Sequence, residues 1–326
     1  MTLVTGASGF IGGHVARALA TRGDPLRVLV RPTSDLRGLQ GLEAEVFTGD
    51  LRQPETLVEA VRGCRIVYHV AADYRFWARR PREIFESNVD GARNVFEACQ
   101  TASVEKVVYT STVGTVGFST SGEPTDESRE SSSADLAGPY KRSKLQAEQV
   151  ALKFAAKGLP LVVVNPTAPV GEADLKPTPT GQIVVDFLRG AMPAYLDTGL
   201  NVVDVRDVAR GHLLAAERGK PGERYLLGAH NMSLAEILGT LARLTDRQAP
   251  RRQVPYAAAW TFAVCGEGLA AVTGRPPRAP LEAVRMARKK MFVRCDKARR
   301  ELGYEPGPVE PALERAIAWF RENRYC

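Results

Sequence analysis

Cysteine is scarce in this chain, and no two cysteines fall close together. The five (Cys64, Cys99, Cys265, Cys295 and Cys326) include no Cys-x-x-Cys pair. An odd, scattered set supplies neither a closed disulfide framework nor a zinc ribbon, so reduced thiols and a cytoplasmic location are expected. Histidine is equally sparse. His14, His69, His212 and His230 show no His-Glu-x-x-His spacing, and no metal is expected. The chain also lacks a run of the roughly 20 apolar residues needed to span a bilayer. Its longest apolar stretch, over 256–272, is interrupted by Glu267 and neighbouring glycines and reads as a helix of a smaller lobe. There is no internal repeat and no low-complexity tract. Base-reading motifs with interleaved aromatics are missing, which excludes nucleic acid as a partner.

What is present begins at the first residues. Thr5-Gly6-Ala7-Ser8-Gly9-Phe10-Ile11-Gly12-Gly13 opens directly behind the apolar Leu3-Val4. Gly6, Gly9 and Gly12 have the spacing of a strand-to-helix turn that binds a pyrophosphate. The first permits the tight turn, the second lets the backbone approach the phosphates, and the third lets the helix pack close to the strand. The helix that follows, over 11–20, points its N-terminal N–H groups and dipole at the anion. A net charge of +7 favours anionic ligands such as dinucleotides, nucleotide-sugars or an acidic membrane surface, but singles out none of them.

Further on, strands over 26–30, 44–47, 66–70, 106–110 and 161–164 alternate with helices over 55–61, 84–99 and from 140. That rhythm predicts an α/β fold, a Rossmann-type doubly wound parallel sheet covered on both faces, with ligands beyond the carboxyl ends of the strands. The dinucleotide-binding domain is expected over 1–164, with returns near 200–227 and 291–303. After Asn165, prolines break the rhythm, and 165–326 reads as a smaller, mainly helical substrate lobe interlaced with the sheet domain.

Tyr140 and Lys144 stand four residues apart, on one face of the predicted helix. A phenol with an ordinary pKa near 10 is a poor base at neutral pH. A neighbouring ammonium and a positive nicotinamide ring are expected to lower that pKa, so that Tyr140 can exchange a proton with a substrate hydroxyl or carbonyl. Thr110, Ser111 and Thr112 close a predicted strand and offer hydroxyls to hold the same oxygen; Thr112 is favoured. Alone, a Tyr-x-x-x-Lys pair is common on solvated helices. In chain order with the glycine turn and the hydroxyl-bearing strand end, it points to catalysis.

Taken together, Thr5-Gly6-x-x-Gly9-x-x-Gly12, Asp50-Leu51, Thr110-Ser111-Thr112 and Tyr140-x-x-x-Lys144 resemble the extended short-chain dehydrogenase/reductases. Asn88 and the closing Asp296-Lys297-Ala298-Arg299-Arg300-Glu301-Leu302-Gly303-Tyr304 extend the likeness over essentially the whole chain. The stretches Val30-Arg31-Pro32-Thr33-Ser34, His69-Val70-Ala71-Ala72-Asp73-Tyr74, Lys176-Pro177-Thr178-Pro179-Thr180-Gly181 and Met192-Pro193-Ala194-Tyr195 are similar to the hopanoid-associated sugar epimerases, which are also labelled dihydroflavonol-reductase-like. The resemblance implies that Tyr140, Lys144 and Thr112 are catalytic and that Gly6, Gly9 and Gly12 hold the pyrophosphate. It further implies that Asp50 and Leu51 flank the adenine, and that Ser8, Phe10, Ile11, Ala71, Ala72, Thr110, Asn165 and Thr167 lie along the cofactor. Asn88 has the simpler alternative of a helix-stabilising polar residue.

One position departs from the NAD-binding pattern. Where such folds carry an acid on the ribose 2′-hydroxyl, this chain has Arg31, with Ser34 and Arg37 close behind. An arginine there suits a 2′-phosphate, so NADP(H) is favoured over NAD(H), against the alternative of a surface-loop arginine. The implied activity is hydride transfer at a secondary alcohol or ketone of a sugar or hopanoid-linked substrate. Recycled hydride (an epimerase) and net reduction by NADPH (a ketoreductase) both stay open. A cofactor-sensing protein without catalysis is the alternative of another class, and the presence of Thr112, Tyr140 and Lys144 argues against it. The basic stretch 285–300 is either a solvated face or a patch for a diphosphate or an anionic lipid surface, a peripheral membrane contact. A homodimer through helices 84–99 and 140–156 is expected.

Overall fold

Runs such as Leu161-Val162-Val163-Val164, β-branched and apolar on both sides, belong in strands that are covered on both faces. The computed structural model bears this out, and it describes all residues except 120, 132–135, 137 and 278. In chain order come β1 (Thr2–Thr5), α1 (Phe10–Thr21), β2 (Leu26–Val30), β3 (Glu45–Thr48), α2 (Pro54–Val61) and β4 (Ile66–His69). There follow α3 (Arg82–Phe85), a π-turn over Glu86–Asp90, α4 (Gly91–Thr101), β5 (Lys106–Thr110), α5 (Pro139–Ala156) and β6 (Leu161–Pro166). The second half holds β7 (Ala168–Val170), α6 (Pro179–Leu188), β8 (Ala194–Tyr195), β9 (Gly199–Asp204), α7 (Val205–Arg218) and β10 (Arg224–Leu227). Last are β11 (His230–Ser233), α8 (Leu234–Thr245), β12 (Arg252–Gln253), α9 (Tyr256–Thr273), α10 (Leu281–Met286), α11 (Asp296–Leu302) and α12 (Glu310–Glu322).

Seven strands form one sheet in the order β10-β6-β5-β4-β1-β2-β3, and every neighbouring pair is parallel. The chain turns back between β1 and β4, which opens a crevice at the carboxyl ends of those two strands. One apolar layer, including Val15, Leu19, Val28, Val162, Val208 and Tyr225, fills the α1/α7 face. The other, including Leu57, Val67, Phe96, Tyr109 and Ala151, fills the α2/α4/α5 face. A third core joins α6, α8 and α12.

Two expectations change in detail. The single helix over 84–99 is divided by the π-turn Glu86–Asp90, which carries the buried Asn88 inward. Of the elements over 200–227, β10 joins the main sheet beside β6, and α7 packs on α1. β9 instead pairs with β7 and β11 in a separate three-stranded sheet. The edge of β6 is already taken by β10 (Val163 opposite Arg224), so β9 finds its partner beyond the sheet.

Candidate active site

The turn after β1 is built so tightly that side chains are excluded. Gly6 has φ +73, and a Cβ there would meet Ala71 Cα at 2.7 Å. On Gly12 a Cβ would lie 2.2 Å from the Gly6 carbonyl oxygen. The glycines therefore bring the head of α1, the end of β1 and Ala71 into mutual contact. No side chain caps α1 and its first turn holds no acid, so its N–H groups are left to face an anion. Thr5 fixes the neighbouring strand end: its hydroxyl accepts from Ala71 N–H at 3.2 Å and shares a hydrogen bond with His69 Nδ1 at 2.8 Å. Burial holds His69 neutral, with its pKa pulled down to about 3.

At the end of β2, Arg31 is exposed, and its guanidinium makes no ion pair among the described residues. The Ser34 hydroxyl accepts from Arg31 N–H at 2.9 Å, which closes the turn. Arg37 is held otherwise: it grips Asp35 through both carboxylate oxygens at 2.7–3.1 Å. Asp50 is clamped by Arg52 in the same manner, and that hydrogen bonding lowers its carboxyl pKa.

Tyr140 opens α5 beneath the end of β5. Burial pushes its phenol up to about 12, and a hydrogen bond with Thr112 pulls in the opposite direction. The Phe76 ring stands edge-on to it at 5.5 Å. Lys144, one turn on, is buried. It donates to the Thr110 carbonyl at 2.8 Å and to the Tyr109 hydroxyl at 3.2 Å, and burial lowers its pKa to about 7. Burial is thus the dominant influence on the phenol in the protein alone, and Lys144 is not among the groups that shift it.

The chain matches the NAD dependent epimerase/dehydratase family over residues 2–228. It is 43% identical over 326 residues to a putative dihydroflavonol 4-reductase of Synechocystis, covering 99% of this chain and 95% of the relative. This chain belongs to that family. It is an extended short-chain dehydrogenase/reductase, an enzyme family of oxidoreductases, epimerases and dehydratases. It is also 34% identical to sterol demethylase protein B of Methylococcus capsulatus, over 99% of this chain and 98% of the relative. Among solved structures, a nucleoside-diphosphate-sugar epimerase from Pseudomonas aeruginosa superposes with a TM-score of 0.83 at 30% identity, covering 99% of this chain and 98% of the other.

A nicotinamide dinucleotide fits the residues of this family member. The Gly6/Gly12 cradle leaves no room for side chains, and the head of α1 offers uncapped N–H groups to a pyrophosphate. Gly6, Ser8, Gly9, Phe10 and Ile11 follow β1, and Ala71 and Ala72 follow β4, at the carboxyl ends of the two strands. Two residues expected along the cofactor have side chains that turn inward. Thr110 is buried with its hydroxyl 2.9 Å from His212 Nε2; Nδ1 of that ring donates to the Val208 carbonyl at 2.7 Å, so the hydroxyl is the donor to Nε2. Asn165 is fully buried, and its amide donates to the Thr112 carbonyl at 3.1 Å, to Thr115 Oγ1 at 3.0 Å and to Glu148 at 2.8 Å. It braces the Thr112 loop from beneath. Thr167 is tied back to the Leu227 carbonyl through its N–H at 3.2 Å.

Several partners were not legible in the sequence. Asn88 is neither free nor merely helix-stabilising. Its amide donates to the Asp73 carbonyl and to Ser143 Oγ, both at 2.9 Å, and its oxygen accepts from Asp73 N–H at 2.7 Å. It thus pins the loop after β4 to α5. Glu282, on α10, accepts from Lys141 N–H at 3.0 Å and Tyr140 N–H at 3.3 Å, capping α5 from a distant segment of the chain. Gly138 leaves the space, since a Cβ there would fall 2.2 Å from that carboxylate. No local pattern announces such a contact, which joins residues 142 apart.

Proposed function

We propose that this enzyme is an NADP(H)-dependent reductase acting at a ketone or secondary alcohol of a hopanoid-type or sugar-bearing lipid. The observation that carries this reading is Arg31, exposed and without an ion pair at the end of β2, where a 2′-phosphate suits it and a bare ribose does not. A bound nicotinamide dinucleotide supplies the hydride. Thr112 holds the substrate oxygen, and Tyr140 gives it a proton. A phenol whose pKa stands near 12 keeps its proton at neutral pH, which suits an acid in a reduction. Lys144 braces the end of β5 beside them. Asp50 and Leu51 would border the adenine, and Ser34 would support the Arg31 turn. The names of two relatives, a dihydroflavonol reductase and a sterol demethylase protein, support reduction and a polycyclic lipid.

A sugar 4-epimerase is the second reading, favoured by the likeness to the Pseudomonas protein. Calorimetric titration of both cofactors separates the two. A charge-assisted hydrogen bond of about 1.5–3 kcal/mol predicts NADP(H) binding about ten- to a hundredfold tighter than NAD(H). Arg31→Asp should erase or reverse that preference. Equal affinities, or tighter NAD(H), would favour the epimerase. With a substrate in hand, stoichiometric loss of NADPH absorbance marks the reductase.

A further inference from the structure

Exposed apolar surface in this protein is concentrated on one helix. Trp260, Phe262, Val264, Leu269 and Val272 stand on α9, and they account for five of the nine large hydrophobic side chains left exposed among the described residues. Val272 is 85% exposed and Leu269 65%. Ala258, Phe262, Cys265, Leu269 and Val272 repeat at the spacing of a helix face, and all five are exposed. On α9 only Ala263 and Ala270 are buried. The single acid of the helix, Glu267, is engaged: its carboxylate accepts from Leu281 N–H at 2.9 Å.

Arginines bracket this helix. Arg251 and Arg252 precede it and Arg275 follows it. Arg79 lies against the capping Gly274, beside Arg80. All five are exposed, and none is in an ion pair among the described residues. Arg288 stacks over the Tyr256 ring at 5.8 Å. The basic stretch expected to serve as an anionic patch is different. There Lys290, Arg294, Lys297 and Arg300 are paired with Asp197, Asp126, Glu223 and Glu301 at 2.6–3.6 Å.

We propose that α9 docks the enzyme on an anionic bilayer, its apolar face in the interface and its bracketing arginines among the headgroups. A helix without a competing acid, apolar along one face and cationic at both ends, matches that surface in both hydrophobicity and charge. A second copy of the chain fits less well. Pairing two α9 helices, in either direction, sets arginine against arginine with no carboxylate between them. The proposal does not depend on the identity of the substrate, and it has a geometric consequence. Arg79, at the end of α9, belongs to the loop that carries Phe76 against Tyr140, so docking places the mouth of the site near the bilayer.

The test is flotation of the whole protein with vesicles of phosphatidylcholine alone or with added phosphatidylglycerol. Wild type should float with the anionic vesicles and be released by high salt. Phe262→Glu with Leu269→Glu, and separately Arg251→Glu with Arg252→Glu, should lose flotation at an unchanged melting temperature. Absence of wild-type flotation overturns the proposal, as does flotation undiminished in the Phe262/Leu269 variant. Light scattering on the same proteins identifies a second copy as the occupant if that variant dissociates a wild-type dimer that never floats.

Discussion

In the proposed mechanism Tyr140 acts through a single atom, its phenol oxygen. Its phenol is enclosed by Thr112 and Phe76, and burial keeps the proton on. Tyr140→Phe is expected to leave folding and cofactor affinity intact while turnover falls by about 10²–10⁴-fold, the usual share of a positioned acid–base group. Near-normal activity of the variant on an identified substrate would remove the tyrosine from the mechanism. Gly12 fails in a different way. A methyl group 2.2 Å from the Gly6 carbonyl oxygen forces α1 away from β1, so Gly12→Ala should weaken cofactor binding before it touches the chemistry, as titration would show.

The element that matters most is α5, which carries both Tyr140 and Lys144 and is held from three directions. Asn88 reaches it from the π-turn through Ser143, Glu148 ties it to Arg224 at 3.0 Å, and Glu282 closes its N-terminus from α10. Removing the last of these in Glu282→Ala should cost about 1 kcal/mol, the ordinary worth of a helix cap, read from chemical denaturation. Glu282→Gln keeps the shape and removes a charge that raises the phenol pKa. Its alkaline limb in kcat/KM should therefore move to lower pH, whereas a purely structural role would leave the profile in place. The strands and the α5 motif were legible because both depend on neighbours within a few residues. The π-turn was not, because Asn88 is drawn inward by Asp73 and Ser143, which only folding brings near.

For the molecule as a whole, pH dependence follows from two histidines locked inside the sheet domain. His69 and His212 have pKa values pulled down to about 3 and about 4 by burial, from 6.5 in the unfolded chain. Between those limits the unfolded state binds more protons, so their contribution is full above about pH 6.5 and is lost as pH falls. Asp174 opposes this, since its carboxyl, raised to about 6 by burial, takes up a proton in the folded state first. The histidines thus make stability fall as pH drops below about 6.5, and the burial-raised carboxyls of Asp174, Glu127 and Glu282 offset part of that fall. Denaturation midpoints should follow it, and His212→Gln should flatten the slope. The assembly is a separate expectation. A homodimer through the outer faces of α4 and α5 should give a dimer mass by light scattering at micromolar concentration, and a monomer mass would count against it.

Sequence alone determined the parallel sheet, the glycine turn, the Tyr140–Lys144 pair and the family, because each is written locally: short continuous apolar runs alternating with helical ones, three glycines, one helical turn. Arg31 at the end of β2 was legible on the same ground. Tertiary structure decided which hydroxyls face the crevice, turning Thr110 onto His212 and leaving Thr112 by the phenol. It also decided that Asn165 braces the Thr112 loop, that Lys144 binds the end of β5, and that Glu282 caps α5. These outcomes rest on burial and on contacts between distant segments, which set a side chain's direction and its pKa. Residue spacing along the chain carries no record of either.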